Sequence, residues 1–497
     1  MGGNMRLRKP TNIAALFSVL GPLASKGGSL NFTEDQIKEF QAGFAGTVTL
    51  QTDPNYHQAR QLFVPTFQNY PQVIAYCRVE SDVVKAINFA RKTNLNPVCR
   101  SGGHSTAGFS ANDQMIIDLS NLSYVLIDKA SKTMRVGGGT TFASINPMLD
   151  EYQLNMTTGG CETVSVGGYM QGGGYGFTAL MNGMNCDCVR EVRVALADGT
   201  VVTANDTQNN GLFWAVRGGT GNNFGVIVEI TYNLREIGPL WGFGYHWPLD
   251  TPDNIMRAEK ALQIWYDTMT GANVPKGFGH QIAMTFYDGI PNMYLRGMYE
   301  GLPINLKPLL DDIVATLADP ARQRDYWQAG TYTKLNNELL SVPVELPSVP
   351  PGIRSVATSR IMGDGLGPKE FKTIIDFLIK APVKVNMLVL EPYGGQINAK
   401  KPGDTAFVHR NDRFDLAVYS FWLAEHDRQA ALDYIESFEQ TLTPISSGRA
   451  YQNYPNRRST DFADLYFGQN LERLRKVKRE FDKDNLFRFE QSIRPAE

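Results

Sequence analysis

Two nucleophilic side chains each follow a Gly-Gly pair in this sequence of 497 residues. His104 ends the run SGGH (101–104), and Cys161 ends TGGC (158–161). The chain has only six histidines and five cysteines, without a CxxC pair or an HExxH motif, so we expect no metal site. A lone histidine is usually structural, and a lone cysteine usually packs as a small apolar group. The repeated Gly-Gly context favours instead two reactive groups at one site.

Glycine is concentrated between residues 101 and 225. The clusters are SGGH (101–104), VGGG (136–139), TGGC (158–161), SVGGYMQGGGYG (165–176) and RGGTGNNFG (217–225). None has the GxGxxG form of a dinucleotide fold or the GxxxxGK[ST] form of a P-loop. Tight turns alone would explain one cluster. Five clusters favour backbone that approaches one shared ligand closely.

Apolar periodicity changes near residue 240 and predicts two kinds of architecture. Before this point, short strands such as VIAYCRV (73–79) alternate with helices such as SDVVKAINFARKTN, which we expect to begin at a Ser N-cap. After it, longer strands such as VKVNMLVL (383–390) alternate with amphipathic helices, which predicts an antiparallel sheet covered by helices. The Pro-rich segment 341–352 is expected to be a surface loop. The fold class is therefore α+β.

Charge and hydropathy exclude several classes of partner. Lys and Arg total 48 and Asp and Glu total 50, so the formal charge of -2 argues against nucleic acid. No apolar run is long enough to span a membrane. The stretch from Ile13 to Leu20 follows basic residues, but the GPLASK after it lacks a small-x-small cleavage site, which favours a first amphipathic helix over a signal peptide. We expect a soluble, intracellular protein that is a monomer.

Longer motifs resemble those of the berberine-bridge-enzyme-like branch of the vanillyl-alcohol-oxidase superfamily of FAD-linked oxidases, from about residue 55 to the end. They are CRSGGHSTAGFS (99–110), GGCETVSVGGYMQGGGYG (159–176), LFWAVRGGTGNNFGVIVEI (212–230), EPYGGQIN (391–398), AYQNY (450–454) and YFGQNLERLRKVKREFDKDNLFRFEQSIRP (466–495). Within the branch, the chain is most similar to oligosaccharide and hexose oxidases with a bicovalently bound flavin. The resemblance implies a PCMH-type FAD-binding domain over 1–238, a substrate domain over 239–454, and a return to the FAD domain over 455–497.

The resemblance implies FAD that is covalently linked to two residues. His104 matches the histidine that is joined to the flavin 8-methyl group, and Cys161 matches the cysteine that is joined to carbon 6. A neutral imidazole and a thiolate are suitable nucleophiles for an electron-poor flavin. The other cofactor-binding residues that the resemblance implies are Arg100, Ser101, Gly102, Gly103, Ser105, Gly108, Gly160, Val166, Gly168, Tyr169, Gly173, Gly174, Gly176, Gly225, Val226, Tyr451 and Asn453.

The resemblance also implies a catalytic pair. Tyr454 ends the motif Tyr-x-Asn-Tyr and matches the family's base, and Glu391 matches an acidic position of oligosaccharide oxidases. A phenol has an ordinary pKa of about 10, so we expect a cation or the flavin to lower it, or the Glu391 carboxylate to accept the proton in a relay. Without the resemblance, both residues would be read as ordinary sheet residues.

Three positions depart from the family pattern. Tyr169 replaces a histidine beside the flavin pyrimidine; its hydroxyl can donate a hydrogen bond but cannot carry positive charge. Met170 stands where oxygen-reactive relatives often have a small branched residue, which puts the use of dioxygen in doubt. Thr106 stands where a tyrosine is frequent.

The expected activity is oxidation of an alcohol carbon, the anomeric carbon of a sugar or oligosaccharide, to a lactone. Electrons would pass through FAD to dioxygen and give hydrogen peroxide. Alternatives are a natural-product oxidase or cyclase of the same family, a dehydrogenase with poor oxygen reactivity, and a binding protein without turnover. Trp241, Tyr245 and Trp247 are candidates for sugar stacking, although a core cluster is an equal alternative.

Overall fold

The computed structural model describes residues 30–317, 326–341 and 352–497. The helix predicted at 13–20 and nearly all of the Pro-rich segment 341–352 lie outside these residues. The described residues form sheets of four, five, two and seven strands with helices between them, which confirms the α+β class.

The first half of the chain contains the three smaller sheets. Its strands are β1 (Thr47–Leu50), β2 (Val73–Tyr76), β3 (Pro97–Arg100), β4 (Met115–Asp118), β5 (Val125–Asp128), β6 (Thr133–Gly137), β7 (Leu154–Asn155), β8 (Val189–Ala195), β9 (Val201–Ala204), β10 (Val226–Asn233) and β11 (Arg235–Glu236). Its helices are α1 (Glu34–Gln41), α2 (Tyr56–Ala59), α3 (Glu80–Thr93), α4 (Phe142–Tyr152), α5 (Val166–Gln171), α6 (Ala179–Asn182) and α7 (Asn210–Val216).

Helix α3 lies between two of these sheets. The four-stranded sheet has the order β1-β2-β4-β3, with β2 and β3 parallel to β4. The five-stranded sheet is antiparallel and has the order β5-β6-β10-β8-β9. Ile87 of α3 shares one buried cluster with Ile117 of β4 and Val226 of β10. This packing fixes the strand ends from which the glycine clusters leave.

The second half is built on one antiparallel sheet of seven strands, in the order β15-β12-β14-β13-β17-β18-β16. Its strands are β12 (Leu240–Pro248), β13 (Phe278–Tyr287), β14 (Ile290–Glu300), β15 (Tyr326–Gly330), β16 (Arg354–Met362), β17 (Met387–Pro392) and β18 (Phe414–Trp422). Its helices are α8 (Pro252–Met269), α9 (Pro303–Val314), α10 (Tyr332–Leu339), α11 (Pro368–Ile379), α12 (Gly395–Asn398) and α13 (Arg428–Leu442).

The two faces of this sheet differ in chemistry because successive strand residues point to opposite sides. Leu390 of β17 and Leu416 of β18 pack with Trp265 of α8 in a buried apolar cluster under the helices. Glu391 and Tyr419 of the same strands lie on the other face, toward the first half of the chain. The polar face is therefore available for a site.

The C-terminal segment returns to the first half through α14 (Phe462–Phe467) and α15 (Leu471–Phe481). Leu474 of α15 packs in the same cluster as Phe213 of α7. The buried ammonium of Lys478 lies 2.7 Å from Asp482 and donates to the carbonyl of Asn223 at 2.6 Å. These contacts join the tail to the cluster RGGTGNNFG.

Two local predictions are wrong in detail. Helix α3 begins at Glu80 rather than after a Ser N-cap, because the buried Asp82 accepts the N–H groups of Arg78 and Ala45. Strand β17 begins at Met387 rather than at 383, because the buried Asn386 uses its amide oxygen to accept hydrogen bonds from Ser420 and the N–H of Phe421.

Candidate active site

A cavity of about 530 Å³ lies between the glycine clusters and the polar face of the seven-stranded sheet. This volume is in the range of small-molecule and cofactor sites. The predicted site residues that line it are Ser101, Gly102, Gly103, His104, Ser105, Gly160, Cys161, Gly168, Tyr169, Gly176, Gly225, Glu391, Tyr451, Asn453 and Tyr454. The fold therefore brings both nucleophiles and both predicted catalytic residues to one place.

Thr163 joins the two nucleophiles. Its Oγ1 lies 3.0 Å from Nε2 of His104 and 3.3 Å from Sγ of Cys161. Burial lowers the pKa of His104 to about 4, so the imidazole is neutral at pH 7 and keeps a free electron pair. The ring stacks on Phe63 at 3.9 Å between centroids, and the Cys161 thiol is exposed to the cavity. Thr163 was not predicted, although it lies inside the quoted motif GGCETVSVGG.

Close backbone packing explains the glycines of the cavity. A Cβ atom at Gly102 would lie 2.8 Å from Oγ of Ser165, and one at Gly167 would lie 2.5 Å from Oγ of Ser101. Real Cβ atoms do not approach so closely, so only glycine lets these two loops meet. This close packing brings the backbone of both loops to the wall of the cavity, beside side chains such as His104.

The cluster VGGG (136–139) is an exception, because its glycines do not line the cavity. A Cβ atom at Gly139 would lie 1.7 Å from the carbonyl oxygen of Leu119. The glycines of this cluster therefore allow two chain segments to pack, and the expectation that all five clusters surround one ligand stays a prediction here.

Six predicted cofactor residues also lie outside the cavity wall, namely Arg100, Gly108, Val166, Gly173, Gly174 and Val226. Arg100 is buried in an ion pair with Asp118. Gly108 packs against Phe67, Gly173 against Phe407, and the two valines lie in apolar clusters. The N–H of Gly174 donates to the hydroxyl of Tyr451 at 2.9 Å. These contacts show how each of the six residues is packed, and their predicted contact with the cofactor stays a prediction.

Tyr454 and Glu391 form a hydrogen-bonded pair at the cavity. The Tyr454 hydroxyl donates to Oε1 of Glu391 at 2.9 Å. Burial raises the pKa of Glu391 to about 8, and its Oε2 is buried without a partner among the described residues. Burial and the Glu391 carboxylate raise the pKa of Tyr454 well above 10. The expectation that a cation lowers this pKa is therefore wrong for the protein residues of the described ranges, and the relay geometry is the one present.

The motif Tyr-x-Asn-Tyr is fixed by its own polar groups. Nδ2 of Asn453 donates to the carbonyl of Tyr169 at 2.9 Å and to the hydroxyl of Tyr451 at 3.0 Å. The ring of Tyr454 makes edge contacts with Tyr451 and Tyr419. Tyr454 therefore has a defined orientation over the cavity.

A second carboxyl group lies beside Glu391. Asp415 faces Glu391 in the β17–β18 ladder and is fully buried. Burial raises the pKa of Asp415 well above its ordinary value, with a further contribution from Glu391, which favours the protonated form of the carboxyl. Sequence reasoning missed this residue because nothing in DLAVYSFW indicates which carboxyl it faces.

Arg296 of β14 is a charged cavity residue that was also not predicted. It lines the cavity and is only 4% exposed. With the Gln281 amide oriented to satisfy both groups, its oxygen accepts from Nε and Nη2 of Arg296 at 3.0 and 2.9 Å. Nη1 donates to the carbonyl of Leu340 at 2.6 Å. The one available signal was a lone cation in the strand run MYLRGMY.

The three residues that depart from the family pattern differ in their contacts and in their position relative to the cavity. The hydroxyl of Tyr169 donates to the carbonyl of Tyr175, so this donor is committed to backbone. Met170 is fully buried in the core and does not line the cavity. Thr106 lines the cavity, and its Oγ1 is buried without a partner among the described residues.

Other conspicuous residues belong to the packed interior. Tyr245 and Trp247 lie in the apolar cluster under the helices, and Trp241 packs against it. Arg410 forms a buried ion pair with Asp187 at 2.7 Å. Burial therefore supports the core alternative for the aromatic residues rather than sugar stacking.

The cavity fits a flavin dinucleotide in its chemistry. Its glycine loops offer backbone at close range, its reactive groups are a neutral imidazole and an exposed thiol, and the Thr106 hydroxyl is an unsatisfied polar group in its wall. Residues 71–205 match the family model for an FAD binding domain, and residues 450–494 match that for berberine and berberine-like proteins. The chain is an FAD-linked oxidoreductase of the berberine-bridge-enzyme-like family.

The similarity to known proteins extends over most of the chain, both in sequence and in structure. A xylooligosaccharide oxidase of Thermothelomyces thermophilus is 26% identical over 86% of this chain and 88% of its own. A carbohydrate oxidase of Microdochium nivale is 25% identical over 91% and 92%. The solved structure of a berberine-bridge-enzyme-like protein of Physcomitrella patens matches with a TM-score of 0.83 at 25% identity, over 93% of this chain and 99% of that one.

Within the described ranges, no helix of the enzyme combines the length and apolar character that crossing a bilayer requires.

Proposed function

We propose that the enzyme oxidises the anomeric carbon of a sugar or oligosaccharide to a lactone, with FAD attached to His104 and Cys161 and dioxygen as the electron acceptor. The observation that carries the proposal is the hydrogen bond between Tyr454 and Glu391 at the cavity, 2.9 Å long. Oxidation of an alcohol needs a group that takes the hydroxyl proton while the carbon loses a hydride. The bound flavin supplies the hydride acceptor.

Tyr454 and Glu391 act in this proposal as a proton relay. The high pKa of Tyr454 keeps its phenol protonated, so Tyr454 can accept the substrate's hydroxyl proton only if it passes its own proton on. Glu391 is the acceptor of that hydrogen bond, and its pKa of about 8 makes it a base suited to near-neutral pH. Proton transfer from substrate oxygen to Tyr454, and from Tyr454 to Glu391, leaves no charge on the phenol.

The anchoring of the cofactor rests on Thr163. Oγ1 of Thr163 lies 3.0 Å from Nε2 of His104 and occupies that ring nitrogen. We assign Nδ1 as the attacking atom of His104, and Sγ of Cys161 as the second. Since the same hydroxyl contacts both, it holds the two nucleophiles in a fixed relation.

Carbohydrate as the substrate class is supported by the names of two relatives, the xylooligosaccharide oxidase and the carbohydrate oxidase. The aromatic side chains of Tyr419 and Phe421 line the cavity from the sheet side, and aromatic faces suit the apolar faces of sugar rings. Dioxygen as acceptor is supported by the names of the same two relatives, both of which are oxidases.

The test is a screen for hydrogen peroxide release from mono- and oligosaccharides by the purified holoenzyme. We expect peroxide with at least one reducing sugar and none with the matching methyl glycoside, whose anomeric hydroxyl is blocked. Silence with every sugar would refute the carbohydrate assignment and favour a natural-product substrate. Rapid anaerobic bleaching of the flavin by a sugar, followed by slow reoxidation in air, would identify a dehydrogenase instead.

A further inference from the structure

A row of polar residues crosses four adjacent strands on the cavity face of the large sheet. Arg296 of β14 pairs with Gln281 of β13, and Glu391 of β17 pairs with Asp415 of β18. The last pair of the antiparallel β13–β17 ladder is Ile282 with Leu390, and the next position would place Gln281 beside Glu391. The order Arg296, Gln281, Glu391, Asp415 thus runs continuously across the sheet.

The positive charge of Arg296 has no counterion among the residues that the structure describes. Its partners in the described residues are the amide oxygen of Gln281 and the carbonyl of Leu340, both neutral. Burial lowers the pKa of Arg296 to about 10, which still leaves the guanidinium charged at pH 7. One N–H on each terminal nitrogen stays without a partner among the described residues. A buried, unpaired charge is costly, and a ligand anion would compensate it.

The distance between Arg296 and the proton relay limits the size of the ligand that can carry this anion. Two strand spacings separate the backbones of Arg296 and Glu391, or about 10 Å. Both side chains line the same cavity, with the amide of Gln281 between them. A pyranose ring with its own carboxylate, or two linked rings, spans this interval with the anomeric hydroxyl at Tyr454.

We propose that Arg296, held by Gln281, is a carboxylate-binding residue and that the preferred substrates are acidic sugars, that is, uronic acids or oligosaccharides that contain them. This proposal rests on the proposed sugar oxidation and names its substrate class. The planar guanidinium binds a carboxylate through two parallel N–H groups, which suits the two donors that remain.

The test compares sugars that differ only in a carboxylate. D-Glucuronate against D-glucose places the acid in the reacting ring, and cellobiouronate against cellobiose places it in the next ring. We expect at least a tenfold higher kcat/KM for the acid in one of the two pairs. Equal kcat/KM within both pairs would overturn the proposal, and this comparison needs no variant.

Variants test whether Arg296 causes the preference for acidic sugars. Arg296→Gln should reduce the acid-to-neutral ratio of kcat/KM at least tenfold, mainly through KM, and Arg296→Lys should give an intermediate ratio because it keeps the charge without the forked donor. Lys476→Gln, at an exposed position of α15, removes the same charge away from the cavity and should keep the wild-type ratio. If Arg296→Gln lowers kcat equally for acid and neutral sugars, together with the flavin midpoint potential, Arg296 serves the cofactor instead and the proposal is wrong.

A binding measurement separates this inference from the proposed function. If the holoenzyme oxidises no sugar, the proposed function fails. Titration calorimetry then tests separately whether Arg296 binds a carboxylate. Methyl β-D-glucuronoside should bind at least tenfold more tightly than methyl β-D-glucoside to the wild type, lose that advantage in Arg296→Gln, and keep part of it in Arg296→Lys. Equal affinities of the wild type for the two glycosides would overturn the carboxylate assignment.

Discussion

The protonation of Glu391 should set the pH dependence of turnover. Only its carboxylate accepts the proton of Tyr454, and its pKa is raised to about 8 by burial. Its ionised fraction is then about 1% at pH 6 and about one half at pH 8, so kcat/KM should rise about fiftyfold between these values and level off above pH 9. A glutamate with its ordinary pKa would be fully ionised over this range and give a flat profile.

The assay is anaerobic stopped-flow reduction of the flavin by the most reactive sugar of the peroxide screen, from pH 5.5 to pH 10. Glu391→Gln should abolish the rising limb and lower the reduction rate by about 10²–10⁴-fold. Asp415→Asn is the matched control. Burial raises the pKa of Asp415 and so favours its uncharged form; the amide is also uncharged, and the limb should stay near pH 8. A flat wild-type profile, or a limb that persists in Glu391→Gln and moves in Asp415→Asn, would refute the assignment.

Three further changes test other parts of the account. Tyr454→Phe removes the first member of the relay and should slow flavin reduction by about 10²–10⁴-fold at unchanged flavin content, measured by stopped flow; a near-wild-type rate would exclude Tyr454 from proton transfer. Thr163→Val should lower the fraction of covalently held flavin in the acid-precipitated protein, whereas Thr163→Ser should retain it; equal fractions would contradict the bridging role. Arg410→Met leaves Asp187 buried without its partner and should cost about 3–5 kcal/mol in urea unfolding, against less than about 1 kcal/mol for Arg257→Met in an exposed pair; similar losses would contradict the buried ion pair.

Local sequence patterns predicted strands of the fold and the two nucleophilic residues of the cavity. The strand of VIAYCRV and the hairpin of β8 and β9 follow from periodicity and a tight Asp-Gly turn, which act over a few residues. His104 and Cys161 stood out because each follows two glycines, and the fold brings both to Thr163.

The contacts that sequence patterns did not reveal are non-local. Arg100 lies in the quoted motif, yet its charge is used by Asp118 on the neighbouring strand. The glycines of VGGG look like those of the cavity, but the carbonyl of Leu119 approaches them from another segment. Arg296 carries no motif, and only the sheet register places it in the same row as Glu391. Such contacts depend on which chain segments meet in the fold, and spacing along the sequence does not contain that information.

The attachment of FAD to His104 and Cys161 is the claim on which the account depends most, and an intact-mass measurement on acid-denatured protein tests it directly. We expect the wild type to carry the mass of one FAD after denaturation, His104→Ala and Cys161→Ala each to retain it through the remaining bond, and the double variant to show the mass of the bare chain. Wild-type protein that releases all of its flavin on denaturation would contradict the account.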